Sequence, residues 1–352
     1  MKPSYQTFRR HTAGILGVVF LISGLLKLVD PVGTMLIVQE YFKFFHLTFL
    51  MGGAKVVGVV LAVTECAVGI GLITGVFRKL SAIVAYALLG VFTLVTLLLW
   101  IFNPPMDCGC FGQAVHLTHA QSFWKNVVLL VLAVVAFTPF KEFGTPRVHK
   151  NVAAGVAFAA VVLAAVYCNS HLPAVDFTPF NWGAQLFASL DENAEEEDFR
   201  RAPILSFYDA EGAYQDELAA QGKVVVISVY DASKADWTRV AEHYRLLQGT
   251  EALPLLLVSA SREEAEALGL PADMAPYFSD YKTLITLNRS NGGGSYFYDG
   301  EVIHKWSAPH APDPLQEDIA EDPLALSTRH VTRRRLTAQG FCVGLLAILL
   351  LL

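Results

Sequence analysis

Charge is scarce in this chain: 16% of its 352 residues are Asp, Glu, Lys or Arg, against 54% hydrophobic residues. Soluble domains carry about a quarter charged residues, so the shortage excludes a wholly soluble protein. The apolar residues also come in blocks rather than spread along the chain. A formal charge of −6 with no basic stripe excludes the electrostatic footprint of a nucleic-acid binder. Five cysteines are too few for a stapled scaffold. Cys66, Cys168 and Cys342 lie in or at the end of apolar segments, where a thiol packs as a small hydrophobe. No small-x-small cleavage site follows the first apolar run, which is expected to stay as an anchor.

What is present is an integral membrane part followed by a soluble part. Apolar runs near 12–29, 51–76, 80–102, 123–140 and 151–168 each have the roughly 17–25 residues that cross a bilayer as a helix. A weaker run, 338–352, follows Arg333-Arg334-Arg335 and is a candidate sixth span. Lys2, Arg9, Arg10, Arg78, Lys79, Lys141, Arg147 and Lys150 mark one side of the membrane, and Lys27, Lys43 and Lys125 the other. The richer side is expected to be cytoplasmic. That puts the N-terminus inside a cytoplasmic (inner) membrane and everything from Asn169 onward in the periplasm, where thiols can be oxidised.

Beyond an acidic linker the pattern changes. Val224–Tyr230, Leu253–Ser259, Leu284–Leu287, Ser295–Tyr298 and Val302–Trp306 read as strands, and Ala235–Leu247 and Arg262–Leu268 as helices. The order β-α-β-α-β-β suggests a central sheet ending in an antiparallel hairpin, and it resembles the thioredoxin fold. Active thioredoxins carry a Cys-x-x-Cys after the first core strand, but here Tyr230-Asp231-Ala232-Ser233-Lys234 holds no cysteine. A proline before the third core strand is missing too, Lys282-Thr283 standing there. The domain is expected to bind or dock rather than to react. The expected class is thus an α-helical membrane bundle with an α/β thioredoxin-like soluble domain. Its parts are a four-helix core over 1–140, a fifth helix over 141–170, a linker over 171–202, the soluble domain over 203–325 and a basic segment with a C-terminal helix over 326–352.

The chemistry concentrates in Asp107-Cys108-Gly109-Cys110-Phe111-Gly112, a short loop between two apolar runs. Two thiols one residue apart can exchange with a disulfide, share a metal with two further ligands such as His116 and His119, or simply close the loop. Asp107 is expected to raise the pKa of Cys108 by charge repulsion. Cys168, at the same membrane depth, is a candidate resolving thiol. Glu65, deep in the second run, is costly there unless it pairs or handles protons, and Lys55, ten residues earlier, is too distant to be its partner. Lys27 stands near the outer end of the first run. Gly52, Gly53, Gly58, Gly69, Gly71 and Gly75 are expected to allow close helix packing.

These residues resemble a known family. Ser23-Gly24-Leu25-Leu26-Lys27-Leu28-Val29-Asp30-Pro31, Thr64-Glu65, Asn103-Pro104 with the Cys108–Gly112 block, and Ser122-Phe123-Trp124-Lys125-Asn126 look like the DoxX-like/MauE-type membrane proteins over roughly 8–140. The layout with a degenerate thioredoxin-like domain is similar to a Bacteroidetes type. The resemblance implies a four-helix core. It links MauE-type members to maturation of methylamine dehydrogenase through disulfide formation, and DoxX relatives to quinone-coupled sulfur oxidation. The expectation is a membrane thiol-disulfide component using Cys108, Cys110, Glu65 and Cys168, coupled to a quinone, with lipid and a periplasmic protein as partners. The rival expectation is a non-catalytic anchor or assembly subunit whose outer domain binds a partner.

Overall fold

The computed structural model describes residues 3–138, 148–190, 194–268, 270–271, 273–311 and 319–351. Lys141, Arg147 and Asp191-Glu192-Asn193 of the acidic run lie outside them. The chain divides into two units, 1–170 with 338–352, and 171–337.

The first unit is helical. It contains α1 (Pro3–Val29), α2 (Pro31–Phe44), α3 (Ala54–Thr74), α4 (Arg78–Phe102), a short extended segment β1 (Cys110–Gln113), α5 (His119–Phe137) and α6 (Val148–Ser170). Among the described residues, five helices are long and apolar enough to cross a membrane: Tyr5–Val29, Thr48–Thr74, Arg78–Phe102, His119–Phe137 and Val148–Ser170. Large aliphatic side chains such as Val56, Val60, Leu94, Val131 and Leu163 stay exposed on their outer faces. Such a surface would be unfavourable in water and is the ordinary one in lipid.

Helix α2 is an element the apolar runs do not announce. Asp30 caps it, accepting a hydrogen bond from the Gly33 amide at 2.8 Å, and Pro31 takes the first helical position, where its missing N–H costs nothing. The Thr34 hydroxyl donates to the Lys27 carbonyl at 3.0 Å, tying α2 to the end of α1.

Helices α1 and α3 meet backbone to backbone. A Cβ on Gly24 would lie 2.6 Å from the Ala62 carbonyl oxygen, one on Gly17 2.8 Å from that of Gly69, and one on Gly69 2.7 Å from that of Gly17. Close packing, expected for the glycines of the second run, thus holds for Gly69, for Gly71 against Ser81 and for Gly58 against Thr34. It does not hold for Gly52 and Gly53, which have open space, nor for Gly75, whose φ of +80° closes α3 in the left-handed conformation. Gly24→Leu is expected to destabilise the bundle by about 3 kcal/mol. Gly90→Leu, at a position with nothing within 4 Å, is expected to be neutral. Thermal melting of the two purified variants in detergent checks this, and equal melting points would contradict it.

The second unit is a mixed five-stranded sheet with helices. After α7 (Glu196–Arg201) come β2 (Lys223–Val229), α8 (Trp237–Gln248), β3 (Leu253–Val258), α9 (Arg262–Ala267), β4 (Pro276–Phe278), α10 (Tyr281–Leu287), β5 (Gly293–Tyr298) and β6 (Glu301–Trp306). The order is β4-β3-β2-β5-β6, with β3 and β4 parallel to the central β2 side and the β5–β6 hairpin antiparallel. Val225 and Ile227 bury one face with Val240 and Leu247 of α8, and Val224 and Val226 the other with Leu284 and Leu287 of α10. Each such side chain contributes roughly 1.5–3 kcal/mol.

Leu284–Leu287, expected as a strand, is the end of α10. The Asp280 carboxylate accepts from the Thr283 amide at 2.9 Å, an N-cap that starts a helix where the apolar run alone reads as extended. The strand that follows is β5, and its approach, Ser290-Asn291-Gly292, also lacks proline.

A last helix, α11 (Pro323–Leu351), ends the chain. Its stretch beyond Ala338 belongs to the helical unit, where Leu345 and Leu349 are buried with Ala157 and Val161 of α6.

Candidate functional site

The Cys108–Cys110 loop folds back onto the ends of α1 and α2. Gly109 and Gly112 adopt φ of +62° and +60°, and the Gly112 amide closes onto the Gly109 carbonyl at 3.1 Å. Only glycine takes this backbone without strain, and Gly109 also presses on Ile37, whose Cγ2 stands 2.4 Å from where a Cβ would be. The turn brings the two sulfurs to 2.8 Å of each other.

Both cysteine carbonyls are held from the helices. The Tyr41 hydroxyl of α2 donates to the Cys108 carbonyl. The Cys110 carbonyl accepts from Ser23 Oγ at 2.7 Å and from Lys27 Nζ at 2.7 Å, both on α1. Lys27 in turn donates to Ser23 Oγ at 2.8 Å and to both oxygens of Glu65, at 3.1 and 2.9 Å. Glu65 is fully buried and Lys27 is 5% exposed. The partner of Glu65, which its own helix could not supply, is therefore on α1. A buried pair of this kind is stable because each charge satisfies the other and the remaining Lys27 protons have acceptors.

From α5 come Ser122, buried against Cys108, and Lys125, which stands 4.6 Å above the Phe111 ring beside Cys110. Thr118 caps α5 in a reciprocal capping box with Gln121, which fixes where that helix begins.

The two thiols differ electrostatically. The hydrogen bond shared with Cys108 holds the Cys110 thiol well below its ordinary range, with Lys125 and Lys27 helping against burial. The same hydrogen bond, with burial, pushes Cys108 up. Cys108 is thus raised in the direction expected from Asp107, but from a different cause. The Asp107 carboxylate instead faces His116 Nδ1 at 3.3 Å on the exposed side of the loop. Burial and the two thiols also push the Tyr41 hydroxyl up, so it remains a donor.

Two of the expected residues, Cys108 and Cys110, thus lie together, and Glu65 joins them through Lys27. Cys168 is half-buried at the end of α6 and is not in the cavity wall. His119 Nε2 meets the Pro104 carbonyl at 3.1 Å, and among the described residues no group of three or more His, Cys, Asp or Glu is placed to hold a metal. Tyr41, Ser23 and Ser122 were not singled out by the sequence as site residues, because they are ordinary residue types that only the fold brings to the loop.

The loop forms one wall of a cavity of about 290 Å³. Cys108, Cys110, Lys27, Glu65 and Lys125 lie along its polar part with Ser23, Tyr41 and Asn126, and most of the rest is apolar and aromatic, including Phe20, Phe42, Phe45 and Phe92. That is near the small end of ligand pockets, which run from roughly 300 Å³ upward, with few convergent polar groups in an apolar wall.

Residues 6–139 match the family model of methylamine utilisation protein MauE. No curated protein and no solved structure matches the chain.

Proposed function

We propose, from the premise that residues 6–139 form a MauE-type membrane module, that this chain is a membrane thiol-disulfide component. The observation that carries the reading is the Cys108–Cys110 pair, with sulfurs 2.8 Å apart, set in the wall of an apolar cavity beside a buried ion pair. In the reaction, Cys108 and Cys110 give up two protons and two electrons and their sulfurs bond. A quinone held against the aromatic wall would be the acceptor that supplies this two-electron, two-proton oxidation. The Cys108–Cys110 disulfide then exchanges with a partner dithiol, which becomes a disulfide while the pair is reduced again. An i to i+2 disulfide closes a small, strained ring, which favours exchange over permanent stapling.

In this reading the residues of the chain bind, hold and orient. Tyr41, Ser23 and Lys27 fix the two carbonyls, and Glu65 holds Lys27 in place by accepting from it in an apolar setting. The aromatic wall favours a planar apolar ring over water. The sheet domain, read as thioredoxin-like, has no cysteine between β2 and α8, so it docks the partner rather than exchanging with it. That partner is a secreted protein with paired cysteines, the class to which the small subunit of methylamine dehydrogenase belongs. The charge pattern of the loops supports a cytoplasmic membrane setting with the cysteine loop and the sheet domain outside.

The test uses the full chain in membranes, with a short-tailed benzoquinone as oxidant and a reduced dithiol peptide as donor. Cys108→Ser/Cys110→Ser is expected to abolish quinone-dependent peptide oxidation while accumulating in the membrane like the parent. Unchanged oxidation in the double variant would leave the chain as an anchor whose loop is only architectural.

A further inference from the structure

We infer that the pair is built asymmetrically, with Cys110 as the sulfur that carries negative charge in the reduced state and Lys125 as the positioning residue that keeps it so. The inference rests on the thiol-disulfide reading and adds a division of labour to it.

The geometry separates the two thiols although they are two residues apart. Cations converge on Cys110. Lys27 Nζ is 2.7 Å from its carbonyl oxygen, and Lys125 stands 4.6 Å above the ring of its neighbour Phe111 while lining the same cavity. Around Cys108 the groups are neutral: the Tyr41 hydroxyl on its carbonyl and the buried Ser122 hydroxyl by its sulfur. Cys108 is itself buried, at 4% exposure, whereas Cys110 is half-buried. A charge placed on Cys108 would be desolvated with no cation among its described contacts.

Of the two cations, Lys27 already has its protons engaged by Glu65, Ser23 and the Cys110 carbonyl. Its charge is balanced by the fully buried Glu65 carboxylate. Lys125 is the cation available to balance a thiolate. The titratable groups facing Cys110 are therefore the Cys108 thiol, Tyr41, the Lys27–Glu65 pair and Lys125, and of these only Lys125 brings uncompensated positive charge among the described contacts. The hydrogen bond from Cys108 depresses the Cys110 thiol most, with Lys125 and Lys27 acting in the same direction, and the same bond with burial raises Cys108. When a thiolate opens the disulfide, the sulfur that leaves more readily is the one better able to hold charge, here Cys110.

The experiment is thiol alkylation against pH on the full-length protein, reduced and held in detergent. Iodoacetamide is the probe, and the labelled sites are located by mass spectrometry. Cys110 is expected to label with a midpoint below the ordinary thiol value of about 8.5, and Cys108 with one above it. Lys125→Met is expected to move the Cys110 midpoint upward, and its labelling at neutral pH to slow by about tenfold for each unit by which the midpoint comes to exceed neutral pH. Lys125→Arg is expected to keep it. Unequal access of the reagent would change the rates at a plateau but not the midpoints. Equal midpoints for both thiols, or a Cys110 midpoint unmoved in Lys125→Met, would overturn the inference. If Lys125→Met does not accumulate, the single-thiol variants decide. Cys108→Ser must leave Cys110 with the lower midpoint and Cys110→Ser must leave Cys108 with the higher, the reverse order overturning the inference. Because no quinone or partner enters the assay, a low Cys110 midpoint together with unchanged peptide oxidation in the double serine variant would refute the redox reading alone.

Discussion

With Glu65 replaced by leucine, the bundle is expected to lose roughly 3–5 kcal/mol, because the change leaves a buried ammonium without its counter-charge. Lys27 is 5% exposed and Glu65 fully buried, and the carboxylate accepts from Lys27 with both oxygens. Removing Lys27 as well takes away the stranded charge, so Lys27→Met/Glu65→Leu is expected to recover most of the loss. Melting of the parent, Glu65→Leu, Lys27→Met and the double variant in one detergent measures the coupling. Single-variant losses that simply add in the double variant would show that the two charges do not support each other. The double variant also has a functional readout. It lacks the ammonium that donates to the Cys110 carbonyl, so its thiol pair should oxidise more slowly than the parent's although its stability has returned.

The second large effect is expected at Gly109. An alanine there must hold a φ of +62°, which costs about 1–2 kcal/mol for an L residue. Its Cβ would also stand 2.4 Å from Ile37 Cγ2, an overlap of the kind that costs about 1–3 kcal/mol. Relief of either strain pulls the turn open and separates the sulfurs. Oxidation of the pair by diamide, followed by trapping of free thiols, should therefore slow by at least tenfold in Gly109→Ala. Adding Ile37→Ala should return the steric share and not the backbone share, giving a rate between the two. A Gly109→Ala variant that oxidises like the parent would mean that the turn does not set the sulfur separation.

The sequence made some of this legible and hid the rest for identifiable reasons. Cys108 and Cys110 stand out because two thiols one residue apart, flanked by glycines, leave few readings. Glu65 stands out because a carboxylate in an apolar run demands an explanation. Its partner does not, since Lys27 is 38 residues away and only the α1–α3 crossing brings it within 2.9 Å. Periodicity and apolar runs also passed over α2, because Gln39, Glu40 and Lys43 interrupt its hydrophobicity, although Asp30-Pro31 is a recognisable helix start. The same kind of signal was missed at Asp280, where a capping carboxylate turns Leu284–Leu287 from an apparent strand into a helix. In both places a short polar cap outweighed the apolar residues after it. Lys125 was visible within a motif but not as a site residue, because nothing in the spacing of α5 says which loop lies over its first turns.

The seam between α1 and α3 constrains how this part of the chain can change over generations. Gly17, Gly24 and Gly69 each face a carbonyl oxygen of the opposite helix rather than a side chain alone. A side chain that grows in a packed interior can be accommodated when its neighbour shrinks by mutation. A carbonyl cannot shrink. Suppressor screens starting from a larger residue at these positions should therefore return true revertants to glycine, with no compensating partner across the crossing. In an alignment of relatives the three positions would be invariant without covarying with anything.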